Sequence, residues 1–367
     1  MLNGMPVIDA VVHAFDFSEE NYANKYGEFF AQMVSGGVMS GGVPGYVLRD
    51  KQAYLRDWSI EDAANVCFLE SPTDLAGYHV LPVNAFVDGG CSLEKALEAR
   101  RRWPKRFFFY IAADPMQGKA AIEDMQTQYD ALEGDVVGVK LYPNSWVTGD
   151  INSWRMDDPK LAYPVFAKAL DLGLKVAAIH KAVPLGPVEM SYYKVDDIDR
   201  AAMDFPDLNF EIVHGGMAFV EETAWQLARF SNVYVNLEST SILAARRPAL
   251  WERCMASFLR SQKMARRVVW GTGGFVVAHP KPLIDAFQSF QFSEQTRIGE
   301  NLPQVTEEVQ RWILAENFAE MTGIDLQARL EAIKGDEFDQ RRAELQQRQQ
   351  PLPPFSTAPT AEGLFAA

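Results

Sequence analysis

The sequence predicts a (β/α)8 TIM barrel with an inserted loop after its first strand and a helical extension at its C-terminus. Three observations lead there. Eight short apolar runs lack the polar alternation of a half-exposed sheet, as strands buried on both faces require. Helical patterns with one charged face separate them. Four of the five histidines fall at or just past the ends of these runs, and the C-terminal strand ends of such a barrel share one face.

The elements follow in order. The first strand is read in Pro6–Val12, and Leu75–Pro82 and Arg106–Ala113 follow, the latter strongly β-prone through FFFYIAA. Val136–Tyr142, Lys175–His180, Asn209–His214, Val233–Leu237 and Arg267–Trp270 complete the eight. Helical patterns occupy Leu93–Trp103, Lys119–Leu132, Pro159–Leu172, Asp196–Phe205, Val220–Phe230 and Ala249–Leu259. Pro280–Phe290 opens on a proline, which suits a first helical turn. A doubly wound sheet is the competing architecture, but neither GxGxxG nor GxxxxGKS/T follows any strand.

The barrel domain is read as 1–325, with the insertion at 16–59, and the extension as 326–367. The insertion contains SGGVMSGGVPG (Ser35–Gly45), read as a mobile or closely packed loop at the barrel mouth. Glu307–Met321 is amphipathic, and Gln327–Gln349 is charged and helical. The Pro-rich tail beyond it carries Leu352, Phe355, Leu364 and Phe365. Apolar residues on such a tail predict a contact in a homo- or hetero-oligomer.

Composition narrows the function classes. Against 35 Lys and Arg stand 49 Asp and Glu, a net charge of −14 that argues against nucleic acid or anionic membrane as the main partner. No apolar run approaches the roughly 18–20 residues of a membrane span. Cys67, Cys91 and Cys254 lie far apart and fit neither a disulfide framework nor a CxxC metal site. With no signal-peptide pattern at the N-terminus, the expectation is a cytoplasmic enzyme acting on a small molecule.

His13, His79, His180 and His214 end strands one, two, five and six, so the fold brings them to one rim. Neutral imidazole binds Zn, Fe or Mn, and the expectation is a shared metal or catalytic cluster. Glu70, Asp114 and Glu238 are nearby carboxylates, and Lys140 in GVKLYP ends strand four, where it can meet a substrate carboxylate or, carboxylated, bridge two metals. His79 and Glu70 are the candidates for completing a second metal site; Lys140 and Glu238 are the catalytic candidates. Asp9 points to the side of its strand that His13 points to, but about 13 Å below it at roughly 3.3 Å per residue. Unless the chain bends after Val12 the two cannot bind one metal, and a buried, hydrogen-bonded carboxylate is at least as strong a reading for Asp9. Asp114, before Pro115, reads as a cap, and His279, before Pro280, as the start of a helix.

VIDAVVHAF, GVKLYP, AAIH, FEIVHGG, VVWGTGG, HPKPLIDAF and ENFAEMTG, in that order, resemble the amidohydrolase-related family, the metal-dependent TIM-barrel group that includes aminocarboxymuconate-semialdehyde decarboxylase. The resemblance spans about Val7 to Gly323 and implies a divalent metal and hydrolysis or non-oxidative decarboxylation. His13, His180 and His214 match family positions. Val11 stands where the first histidine of IDxHxH should be, and Gly273 where a metal-binding aspartate of GSD or GTD should be. These losses favour a second branch in the resemblance, oxygenases with a dinuclear non-haem Fe or Fe/Mn site such as 2-aminoisobutyrate hydroxylase, which need O2 and an electron donor. The alternatives are a single-metal (Zn) hydrolase or decarboxylase, or a catalytically impaired subunit supporting an active paralogue.

Overall fold

The computed structural model describes residues 2, 4–48 and 50–348. Nine parallel strands form one curled sheet: β1 (Ile8–His13), β2 (Leu75–His79), β3 (Phe107–Ala112), β4 (Val136–Leu141), β5 (Val176–His180), β6 (Asn209–Val213), β7 (Val233–Asn236), β8 (Val268–Val269) and β9 (Gly274–Phe275). Seven of the expected strands are present as read. The eighth is split. β8 pairs with β7 and β9 pairs with β1, so the two pieces of one short segment close the ring as a TIM barrel. Between them the ladder reduces to Ala10 N–H donating to Trp270 O (3.0 Å) and Gly273 N–H donating to Val11 O (3.1 Å).

The strands form where the sequence is apolar throughout, and every residue of β1 to β5 is buried. Register shifts twice, between β3 and β4, where Phe109 faces Val136 and Tyr110 faces Gly138, and in β1, where Asp9 faces Ala76 and Val12 faces Tyr78. One extra residue on β1 makes a bulge, which bends the strand below His13.

Around the sheet lie α2 (Ile60–Phe68), α3 (Leu93–Arg102), α4 (Lys119–Leu132), α5 (Ala162–Asp171), α6 (Asp197–Asp204), α7 (Val220–Arg229), α8 (Pro248–Phe258) and α9 (Pro280–Gln288). Their starts are built from short polar side chains. Ser59 and Asp62 form a reciprocal capping box on α2, and Ser92 accepts from Lys95 N on α3. His279 caps α9, its ring accepting from Lys281 N at 3.3 Å, and Asp114 caps the turn after β3 by accepting from Met116 N at 3.0 Å.

The insertion departs from the sequence reading. Ser35 to Gly41 is not loop but the C-terminal half of α1 (Lys25–Gly41), capped by Asn24. Phe30, Ala31, Val34 and Val38 recur at helical spacing and pack inward, and that burial offsets glycine penalties of about 1 kcal/mol each. At the other end, a helix at Leu326–Ala332 and α10 (Glu337–Arg348) form the expected extension. Phe338 is fully buried against Phe68 and Trp103, and Arg106 holds Asp336 at 2.6 Å beneath it. The apolar tail residues from Leu352 onward lie outside the described residues. Among the described residues no helix is long and apolar enough to cross a membrane.

Candidate active site

The C-terminal strand ends surround a cavity of about 250 Å³. His13 from β1, Lys140 from β4, His180 from β5, His214 just past β6 and Glu238 just past β7 line its floor. Phe30, Met33 and Val38 of α1, with Phe15, Leu185 and Ile242, line its walls. The inserted segment is thus the roof of the pocket. Ala182, His214 and Ser239, which follow β5, β6 and β7, hold left-handed backbone with φ of 65°, 62° and 56°. Non-glycine residues in that region cost on the order of 1–3 kcal/mol and gather at functional sites.

Hydrogen bonds order the imidazoles. His180 Nε2 lies 2.7 Å from Val183 O and so carries a proton, which leaves Nδ1 to accept from His214 Nε2 at 3.0 Å. His214 Nδ1 meets only acceptors, the Glu238 carboxylate and, at 3.3 Å, the Glu238 carbonyl. His214 is thereby held between His180 on one side and Glu238 on the other. Burial alone would raise the Glu238 carboxyl, but His214, His13 and Lys140 bring it below the usual range. Burial pushes His180 well below its ordinary value, and His214 and Lys140 add to the effect. His13 is driven down to about 3, chiefly by burial. Tyr142 stacks on His180 with ring centroids 4.5 Å apart.

Below the floor lies a polar layer that the sequence reading missed. Tyr110 donates to Glu211 at 3.0 Å, Asn236 donates to the other Glu211 oxygen, and Asn236 accepts from Glu238 N–H at 2.8 Å. Burial lifts Glu211 to about 7 and lowers Lys140 to about 8, while Glu211 and Glu238 pull Lys140 back toward the charged form. Glu211 and Asn236 sit inside FEIVHGG and VYVNLES, and an acid or amide within an apolar strand was the signal available.

The structure brings His13, Lys140, His180, His214 and Glu238 together. It does not bring Glu70 to them: Glu70 is buried against His279 Nε2 at 3.0 Å and is not among the residues lining the cavity. His79 is also outside the lining. Its ring stacks on Tyr110 at 3.9 Å, its Nε2 donates to Ala10 O, its Nδ1 has no hydrogen-bond partner, and its ring centre is 5.9 Å from that of His13. Asp9 accepts from Thr272 N–H at 2.9 Å and from the Thr272 hydroxyl, the buried, hydrogen-bonded arrangement that was one of its two readings.

Glu238 occupies the space left by Gly273. A Cβ built at residue 273 would stand 2.2 Å from Glu238 Oε1. The rim carboxylate thus comes from the loop after β7, and residue 273 has to be glycine beside it. In donor type, His13, His180 and Glu238 match the imidazole and carboxylate ligation of Zn, Fe or Mn. In placement, His180 Nδ1 and His214 Nε2 face one another at 3.0 Å, a separation that two nitrogens bound to one ion at about 2.1 Å each also show. Among the described residues no group of three or more His, Cys, Asp or Glu is arranged to hold a metal ion.

Comparison with known families matches residues 74–323 to the amidohydrolase family model. No curated protein matches. Among solved structures, an uncharacterised TIM-barrel protein from Bordetella bronchiseptica is 18% identical with a TM-score of 0.58, covering 89% of this chain and 100% of that one. A dihydroxybenzoic acid decarboxylase from Polaromonas, with bound manganese and the inhibitor 2-nitroresorcinol, is 14% identical with a TM-score of 0.56 over 89% of this chain and 99% of that one. The 2,6-dihydroxybenzoate decarboxylase from Rhizobium is 14% identical with a TM-score of 0.55 over 87% of this chain and 99% of that one. At these identities the likeness is one of fold.

Proposed function

The chain belongs to the amidohydrolase family, a family of metal-dependent enzymes, and from that premise we propose that it is a non-oxidative decarboxylase of a small carboxylic acid. The observation that carries this reading is the His180–His214–Glu238 chain on the floor of an apolar pocket beside Lys140.

Decarboxylation breaks a C–C bond and leaves an electron pair on carbon. It needs a group to stabilise that pair and an acid to quench it. Lys140 Nζ is the cation at the floor, next to the reacting end of a bound acid. His214, held between His180 and Glu238, is the proton donor. The walls of Phe15, Phe30 and Val38 favour neutral CO2 over a hydrated carboxylate. Two solved relatives in fold are named as decarboxylases, which supports the reading. Of the bridging groups the dinuclear oxygenase reading offered, Glu70 is bound to His279, while the reserves Glu238 and Lys140 line the pocket.

The test is CO2 release from a panel of aromatic and keto carboxylic acids, paired with deuterium uptake into the corresponding products in D2O. His214→Asn should lower both rates by about 10²–10⁴-fold, the range of a general acid, while leaving the fold intact. Deuterium uptake and CO2 release undiminished in that variant would reject the assignment of His214.

A further inference from the structure

The pocket lining is segregated by polarity. Among the described residues, every polar side chain in it stands at the strand ends. These are the five floor groups, Tyr142, whose ring lies on His180, and Ser239, whose hydroxyl donates to Glu238 Oε1 at 2.9 Å. The rest of the lining is apolar, with Phe30, Met33 and Val38 from α1 joined by Leu185, Ile242 and Val277. The serines in the second half of α1 stay out of the lining. Ser35 donates to Ala31 O at 2.6 Å and Ser40 to Gly36 O at 2.8 Å, both back into their own helix. A ligand therefore finds side-chain hydrogen-bond partners at the floor and none along the walls, and such segregation fixes which end of a ligand goes where. The cavity of about 250 Å³ has room for roughly ten non-hydrogen atoms, scaled from the roughly 150 Å³ apolar cavity that takes up benzene. That is one ring with a carboxyl group and two small substituents.

Resting on the decarboxylase reading, we propose that the substrates are monocarboxylic acids whose polar groups all lie at one end, and that the α1 wall selects them by their hydrocarbon body. The carboxylate and the hydroxyl or carbonyl group that activates it for loss of CO2 sit at the floor. The body points away from the floor, against Phe30, Met33 and Val38. A hydroxyl at the far end of that body gives up its water and receives no partner in return. It weakens binding about 10–100-fold relative to a methyl group of the same size, the range set by one buried, unpaired polar group in an apolar pocket. A second carboxylate at that end is rejected more strongly, because an unpaired charge costs more to bury than a hydroxyl.

The test compares two acids of one shape in the metal-loaded full chain, 2-hydroxy-4-methylbenzoate and 2,4-dihydroxybenzoate. They differ only in a methyl or a hydroxyl group at the end of the ring opposite the carboxylate. Titration calorimetry should give a Kd lower by about 10-fold or more for the methyl compound. Equal affinities, tighter binding of the dihydroxy acid, or no binding of either would overturn the proposal, whatever any variant does. Val38→Thr puts a hydroxyl on the α1 wall with little change in shape, and the preference should shrink by about three-fold or more. An undiminished preference in that variant would overturn the α1 wall as its source. A methyl preference without CO2 release from any acid keeps the selection and removes the decarboxylase reading. CO2 release from both acids at equal kcat/KM keeps the decarboxylase reading and removes the selection.

Discussion

Gly273 and Glu238 show how much a single position can owe to another. A Cβ at residue 273 would overlap the Glu238 carboxylate, and the backbone there has φ of 72°, which L side chains rarely adopt. Gly273→Ala should therefore lose about 1–3 kcal/mol in urea denaturation, from strain and overpacking together. Adding Glu238→Ala removes the overlap but not the backbone strain, so a double-mutant cycle should show a clear coupling between the two positions. Additive losses would mean that Glu238 moves aside freely. This pairing was invisible in the sequence, where residues 238 and 273 are 35 apart and only a loss at 273 could be seen. His13, His180 and His214 were legible because each ends an apolar strand, and strand ends share a rim by topology alone. Glu70 was misplaced because a carboxylate preceding a strand gives no indication of which neighbour it will reach.

At the scale of elements, periodicity was reliable where burial is one-sided and misleading where glycine dominates. Seven of the eight strand runs were read as they stand because burial on both faces keeps most of their residues apolar, while the eighth is split into β8 and β9. The glycine-rich part of α1 was read as loop because propensity was weighed without its partner surface; Phe30, Val34 and Val38 find that surface only in three dimensions. The extension is held to the barrel by Phe338, by the Arg106 pairs with Asp336 and Asp339, and by Arg341 and Arg342, which donate to Asn65, Ser71 and Thr73. Phe338→Ala should cost about 3–5 kcal/mol locally, the usual range for a buried aromatic. Because the loss falls on α10, limited proteolysis should clip the chain near Gly335 while the barrel stays resistant. A barrel that unfolds with the extension, in one transition, would show that the two are one cooperative unit.

For the molecule as a whole, the buried ionisable groups set the response to pH. Burial raises Asp9 from an ordinary 3.8 to about 7, opposed by its bonds to Thr272 and Val11. The folded state therefore holds a proton that the unfolded chain has already released. The stability this brings is complete below about pH 4 and is lost as pH rises through 7. Asp9→Asn, which cannot ionise, should be gaining on the natural protein across that window, by on the order of 4 kcal/mol in total. Parallel stability curves from pH 4 to 8 would contradict it. His13 acts in the opposite sense. Its folded value near 3 against an ordinary 6.5 means that the unfolded chain takes up the proton first, so stability falls as pH drops below about 6.5. The split eighth strand gives the ionisation of Asp9 a mechanical meaning. Around most of the ring, neighbouring strands are zipped by continuous ladders; between β8 and β9 the ring is fastened by two backbone bonds and by the grip of Asp9 on Thr272. That stretch works as a clasp, and a clasp made partly from a titrating carboxyl loosens with alkali. The barrel should breathe there before it breathes anywhere else in the sheet: hydrogen exchange at the amides of Ala10 and Gly273, corrected for intrinsic rate, should outpace that of β3 and β4, and the gap should widen between pH 6 and pH 8.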